Sequence, residues 1–350
     1  MGTYLALWKT DGLYQLLDGV ELQGSQAQLV SNLIYHSLIL RRTGGSVFLK
    51  ILVGIAIKLL NNTAGNQLHV TLGRSEVDER TAVYQWRTRY THVALLQASL
   101  VEKHLHIVAK LGDYWAAAGP MAGGEPLKNA PVENCANIGF SFLTGADDTG
   151  FYRNDLTWYT QVAFDSAQLA RPLSVDKTPI FRHRIQLLPG MQHHITYGLT
   201  TPWLKQFVRN PYPKTVLWED FEMDGRHRSG FYNLQVLTRP SESRTYYEMD
   251  IDKNVVSIKV SNVDYTTILK DKQWGIDLKF NRSYSPATGG KLRVYLNDQL
   301  VNLNEPVTIM VNGKQVFHGI AKADLQAMVN SCAEYFDPCR VYPVAIDLAY

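Results

Sequence analysis

Between Asn137 and Tyr197 two apolar runs flank a stretch of helix length, and this segment narrows the folds open to the chain more than any other. The first run, Ile138, Phe140, Phe142 and Leu143, stops in the turn Thr144-Gly145-Ala146-Asp147-Asp148. The second, Ile185, Leu187 and Leu188, stops in Pro189-Gly190-Met191-Gln192-His193-His194. Asn154 to Leu169 lies between them as a predicted helix. Strand, helix and strand joined by turns form a βαβ unit, which requires a parallel sheet. In open α/β sheets reactive groups collect beyond the carboxyl ends of the strands. An acid after one strand and a histidine after the next would therefore share one crevice.

Acid before histidine is the chain order of the last two members of a Ser-His-Asp set on such a sheet. His193 would take the proton of a nucleophile and return it to the leaving group. Asp148 would fix the imidazole tautomer and stabilise the imidazolium. Asp148 suits the role better than Asp147 because of its G-x-x-D spacing from Gly145. His193 suits it better than His194 because of its place after the glycine turn. The plain alternatives are that the paired aspartates only form a turn or cap a helix, and that the paired histidines are solvated.

Composition narrows the classes. A net charge of +3 and the lack of any basic run argue against nucleic acid as a partner. Three cysteines (Cys135, Cys332, Cys339) are too few for a disulfide framework and match no zinc spacing; Cys332 and Cys339 could pair, leaving one thiol. No secretory signal is visible, because Lys9 and Asp11 interrupt the apolar start. The most apolar run, Val47 to Leu60, contains Lys50 and Lys58 and is too short to span a bilayer.

Residues 1–111 differ from the rest. They contain none of the 14 prolines, no cysteine and a single phenylalanine, Phe48. Helices are expected at Tyr4 to Leu17, Ser25 to Leu40 and Val47 to Leu60, and short strands at Leu68 to Leu72 and Thr91 to Leu96. From Gly112 the chain reads as strand (Ala116 to Met121), Gly-rich turn, and then the βαβ unit. Thr200-Thr201-Pro202 starts a helix running to about Arg209, and Asn210-Pro211-Tyr212-Pro213 ends it. Beyond Lys214, runs of strand length follow at Thr215–Trp218, Tyr232–Leu237, Tyr246–Ile251, Val255–Val260, Tyr265–Leu269, Gly275–Phe280, Lys291–Leu296 and Val307–Val311. Asn312-Gly313 signals a type I′ hairpin after the last of these. A helix at Lys322 to Tyr335 and a strand at Val341 to Leu348 close the chain. Short alternating strands of this kind predict a β-sandwich.

The segments DYWAAAGPMAGGEPLKNAPVEN, FSFLTGADDTGFYRN, TTPWLKQFVRNPYPKTVLWEDFEMDGRHRSGFYNL and PVTIMVNGKQVFHG resemble secreted or periplasmic α/β-hydrolase esterases and peptidase-like proteins of Bacteroidetes. The resemblance covers about residues 112–350. It implies three parts: a divergent or replaced segment over 1–111, the C-terminal half of an α/β-hydrolase domain over 112–213, and a small antiparallel β-sandwich over 214–350. It also implies a periplasmic or secreted location and serine hydrolase ancestry, with Asp148 and His193 matching the acid and His loops. The family's His loop resembles P-G-x-G-H; here Gln192 stands where a glycine is expected.

Upstream the pattern departs further. The family carries a G-x-S-x-G elbow about fifteen residues before the segment matching Asp113-Tyr114-Trp115. Ser99 occupies that place, but Gln97 and Val101 stand where the glycines belong. Ser75, in Gly73-Arg74-Ser75-Glu76, has half an elbow and lies too early. Gly44-Gly45 follows Arg-Arg-Thr rather than the histidine of an oxyanion loop, and losing one oxyanion donor costs about two to three orders of magnitude in rate. Three origins are open for residues 1–111: divergence to a non-catalytic form, replacement by rearrangement or frame error, or a working Ser99 in an unusual elbow.

The leading expectation is a carboxylesterase-like serine hydrolase acting on a small-molecule or polysaccharide ester such as an acylated carbohydrate, with Ser99, Asp148 and His193 as its set and no cofactor or metal. The alternative is a non-catalytic remnant or a carbohydrate-binding or structural protein. For the latter Trp218, Tyr246, Tyr247 and Trp274 are candidate sugar-stacking residues, or else plain core. His183 and His318 read as structural. Glu125 and Glu133 either line the crevice or are solvated. His104 and His106 lack the carboxylate partners a metal site would need.

Overall fold

The computed structural model describes residues 69–71, 85–87, 94–98, 108–195, 200–222, 225–335, 337 and 339–350. The fold is mixed and rich in β-structure. Strands β1 (His69–Thr71) and β2 (Gln85–Arg87) form a small antiparallel pair. The helices expected at 4–17, 25–40 and 47–60, and residues Ser75, His104 and His106, lie outside the described residues.

Four strands, β3 (Ala94–Ala98), β4 (Ala117–Met121), β5 (Gly139–Gly145) and β6 (His183–Leu188), form one parallel sheet in that order. Helix α1 (Arg153–Ala170) makes the crossover from β5 to β6. Its buried residues Leu156, Thr157, Thr160 and Phe164 recur at helical spacing and mark the face turned to the sheet. Phe164 stacks on Phe140 of β5 with ring centroids 4.6 Å apart. The opposite face is covered by helix α2 (Thr200–Leu204) and the turn after it. There the backbone comes close enough that a Cβ on Gly119 would meet Thr200 and Leu204 at 2.6 and 2.8 Å, and one on Gly139 would meet the Phe207 ring at 2.6 Å. A sheet covered on both faces needs apolar strands throughout, and β4 and β5 are buried at every position.

The helix expected from Thr200 to about Arg209 ends at Leu204. The chain then tightens, with Gln206 N donating to Trp203 O and Phe207 N to Leu204 O. This puts Phe207 on Gly139 and turns Arg209 toward Asp337, to which its guanidinium donates.

The remaining chain builds two further sheets. One has the order β15-β14-β11-β10-β7, with β12 paired to β11; the other has the order β16-β13-β9-β8. Their strands are β7 (Thr215–Asp220), β8 (Gly230–Phe231), β9 (Leu234–Thr238), β10 (Arg244–Asp252), β11 (Val255–Lys270), β12 (Asp277–Pro286), β13 (Lys291–Leu296), β14 (Val307–Val311), β15 (Lys314–Gly319) and β16 (Val344–Ala349). Both sheets send alternate side chains into one core: Trp218, Tyr247, Met249, Ile258 and Ile309 from the first, and Leu234, Leu292, Val294 and Ile346 from the second. Helix α3 (Leu325–Tyr335) adds Tyr335 to that core.

Two features differ from the sequence reading. The pairing of β11 with β14 is parallel, so the first of these sheets is not purely antiparallel. The runs at Val255–Val260 and Tyr265–Leu269 are one continuous strand. Beyond Val263 that strand pairs only with β12, and the two stand out as an arm. Of the two readings open for Trp218 and Tyr247, the core one holds: their stacked rings lie buried 4.9 Å apart and offer no surface to a sugar.

The seam between the parallel sheet and the later strands is apolar at Leu217 and Tyr246 and ionic beside them. Asp113 receives the Arg228 guanidinium on both oxygens and Arg340 on Oδ2, and Arg340 continues to Asp337 at 2.7 Å. Arg209 donates to Asp337 and to the carbonyl of Asp113. The Arg340 guanidinium also lies 4.1 Å from the centroid of the Tyr114 ring. Burial alone would raise the Asp113 and Asp337 carboxyls, but the facing guanidiniums outweigh it and hold both below the ordinary range, Asp337 at about 2. A second cluster joins Glu219 to Arg244 at 2.9 Å and to the Tyr265 hydroxyl at 2.8 Å. Burial, with Glu133 nearby, raises the Glu219 carboxyl despite Arg244.

Candidate functional site

All four parallel strands end at the same edge. The register places Ala98 beside Met121, Met121 beside Leu143 and Leu143 beside Gln186. The segments leaving β5 and β6 just past this row converge at the carboxyl edge, where such sheets gather their reactive groups. Strand β3 stops at Ala98, the residue before Ser99; Ser99 itself lies outside the described residues.

Asp148 and His193 meet at this edge. His193 Nδ1 lies 3.0 Å from Asp148 Oδ2. Asp148 is only 4% exposed, whereas the His193 side chain is 49% exposed. The acid is thus held inside and the imidazole faces outward, with Nε2 left as the ring nitrogen that can exchange a proton with something beyond. Asp147 and His194, the neighbours in each pair, are exposed.

Backbone contacts set this geometry. Asp148 N donates to Gly145 O and Asn154 N to Asp148 O, which folds the acid turn over the end of β5. Ala146 N bonds to Leu188 O and Asp147 N to Met191 O, which ties the acid turn to the His loop. Gly145 is the point of closest approach: a Cβ there would stand 2.1 Å from the Gln192 carbonyl and 2.2 Å from that of Met191. The glycine that the pairing depends on is therefore at the end of β5, and Gln192 is exposed. Behind the loop, Met121, Ala122, Leu143 and Ile195 form a small apolar cluster with Leu188 and Met191 against it.

A third residue joins the pair. Arg153, at the start of α1, donates to Asp148 Oδ1 at 2.8 Å. The two carboxylate oxygens are thus divided between a guanidinium and an imidazole. Arg153 is carried by an unusual turn: Phe151 and Tyr152 both have left-handed backbones, with φ of 52° and 57°. Each such non-glycine residue costs about 1–2 kcal/mol. The sequence marks Arg153 only by its place five residues after Asp148, just before the predicted helix.

The other candidates have structural partners. Asn129 donates to Glu125 at 2.6 Å, and Arg282 holds Glu133 at 2.5 Å across the seam. His183 bonds to Phe181 O and Asp165, and His318 to Thr308. Cys135, Cys332 and Cys339 are free thiols. Among the described residues no cluster of metal-ligating side chains occurs, and no helix is long and apolar enough to cross a membrane. A groove of about 850 Å³ lies on the outer face of the larger sheet, lined in part by Ser257, Lys259, Ser261, Tyr284 and Asn312. It shares no lining residue with the Asp148–His193 pair. Comparisons with protein-family models, with curated proteins and with solved structures found no match to the chain.

Proposed function

We propose that the chain is a serine hydrolase of the α/β-hydrolase type, carrying a β-sandwich in its later part and cleaving an ester such as an acyl group on a carbohydrate. The observation that carries this reading is the hydrogen bond from His193 Nδ1 to the buried Asp148 at the carboxyl edge of the parallel sheet. In that arrangement His193 Nε2 takes the nucleophile's proton and passes it to the leaving alkoxide, while Asp148 steadies the imidazolium. Strand β3 ends at Ala98, two strands from β5 and so roughly 10 Å from it across the sheet. Ser99 is the next residue in the sequence, and it is the nucleophile we assign. A fluorophosphonate probe, which modifies a serine activated by a neighbouring base, tests this. The expected outcome is a labelled peptide containing Ser99, with labelling reduced by about four orders of magnitude in Asp148→Asn, which leaves the imidazole in the wrong tautomer. No label on folded protein would sink the hydrolase reading, and label on Ser75 would move the nucleophile.

A second reading, glycan binding by residues 214–350 without catalysis, is favoured by the hydroxyl-lined groove beside the half-exposed Tyr284. Calorimetric titration with neutral oligosaccharides would support it if binding disappears in Tyr284→Ala; no heat with the intact protein would remove it.

A further inference from the structure

The arm formed by the outer halves of β11 and β12 reaches back to the turn that holds Asp148 and Arg153. At its tip, Trp274 packs on Phe151 with ring centroids 4.5 Å apart, and Asp271 accepts a hydrogen bond from the Tyr152 hydroxyl at 2.9 Å. Asp271 also accepts from the backbone N–H of Trp274, so the two tip residues are fixed to each other. The base of the arm is anchored by Tyr265 to Glu219, and Lys128 holds Asp277 just behind the tip at 3.1 Å. Phe151 in turn lies under the Arg153 guanidinium, 5.0 Å from its ring centroid. The contacts therefore run without a break from Trp274 through Phe151 and Arg153 to Asp148 and His193.

We infer that the tip of this arm is a positioning element for the acid–histidine pair. The two residues it grips, Phe151 and Tyr152, are the two with left-handed backbones in this turn. Such a backbone persists only where surrounding contacts hold it. The arm supplies one contact to each, an aromatic face to Phe151 and a carboxylate to Tyr152. Released from them, the turn relaxes toward ordinary dihedrals, Arg153 swings off Asp148 Oδ1, and the carboxylate is free to turn away from His193. Trp274 is half-exposed, so its role is not to fill the core. The role in catalysis rests on the hydrolase reading; the coupling of Trp274 to His193 does not.

The test is therefore the tautomer of His193, read by ¹⁵N–¹H correlation NMR of the full chain above the range in which imidazole is charged. A hydrogen bond at Nδ1 imposes the Nδ1–H tautomer, whereas a solvated imidazole prefers Nε2–H. The intact protein is expected to show Nδ1–H. Trp274→Ala should change it to Nε2–H, Tyr152→Phe should give a mixture, and Trp274→Phe should retain the native tautomer. His193→Gln assigns the signal. Where ester turnover is present, Trp274→Ala should lower kcat about tenfold with KM within about twofold, because substrate binding is untouched. An Nδ1–H signal unchanged in both Trp274→Ala and Tyr152→Phe overturns the inference, and so does Nε2–H in the intact protein. A tautomer that responds to Trp274 in a protein that takes no fluorophosphonate keeps the inference and rejects the hydrolase reading alone.

Discussion

Gly145 illustrates how much one position decides. Its missing side chain lets the carbonyls of Met191 and Gln192 lie against the end of β5, and this contact brings His193 to Asp148. Gly145→Ala is expected to push the His loop outward, cost about 1–3 kcal/mol as over-packing does, and abolish fluorophosphonate labelling. Chemical denaturation and the labelling assay would check the two effects separately; full labelling in this variant would show that the loop accommodates a methyl group. That Asp148 rather than Asp147 meets His193 rather than His194 was legible in the sequence, because Gly145 in one turn and Pro189-Gly190 in the other fix the spacing. Arg153 was not, because a basic residue in the first turn of a helix reads as a solvated surface group until the turn before it is seen to fold back. The burial of Trp218 and Tyr247 was one of the two readings the sequence left open. Alternation along β7 and β10 shows which residues share a face, but not which face turns inward.

At the scale of elements, the βαβ unit from β5 through α1 to β6 follows the sequence closely. Apolar runs and helical spacing are local signals, and the helix expected at Asn154 to Leu169 spans Arg153–Ala170. Phe164 is the residue that seats α1 on the sheet, between Phe140 and Phe181. Phe164→Ala should cost about 3–5 kcal/mol in a denaturant titration; a loss below about 1 kcal/mol would mean that α1 is held by its ends rather than by its face. Elements set by distant partners were harder to read. Helix α2 stops early because Phe207 and Arg209 are drawn to Gly139 and Asp337, residues far away in sequence. The β11–β12 arm runs past its sheet, with bulges near Thr267 and Leu269, because its outer half rests on residues 128–159 rather than on other strands. No local pattern announces a strand that leaves its own sheet.

At the scale of the molecule, the parallel sheet and the later strands are joined through charge that is out of water. Removing one member of such a network strands the others, so Arg340→Met should destabilise the protein by about 3–5 kcal/mol, read as a lower denaturant midpoint. The same network predicts an acid limit. The Asp337 carboxyl is depressed to about 2 from an ordinary value of 3.8. Its contribution is therefore complete above about pH 4 and is lost as pH falls from there toward 2, because the unfolded chain takes up the proton first. Unfolding midpoints measured across that window should fall steeply in the native protein and less steeply in Asp337→Asn; equal slopes would mean that other carboxylates set the limit. The seam also imposes an order in time. Asp113 meets Arg340 across 227 residues of chain. While the polypeptide is being made, the parallel sheet's seam-side carboxylate must wait, without that cation, through the synthesis of strands β7 to β15 and helix α3. The early half thus cannot be completed as an independent unit on the ribosome, and its last step of folding belongs to a residue 227 positions further along the chain.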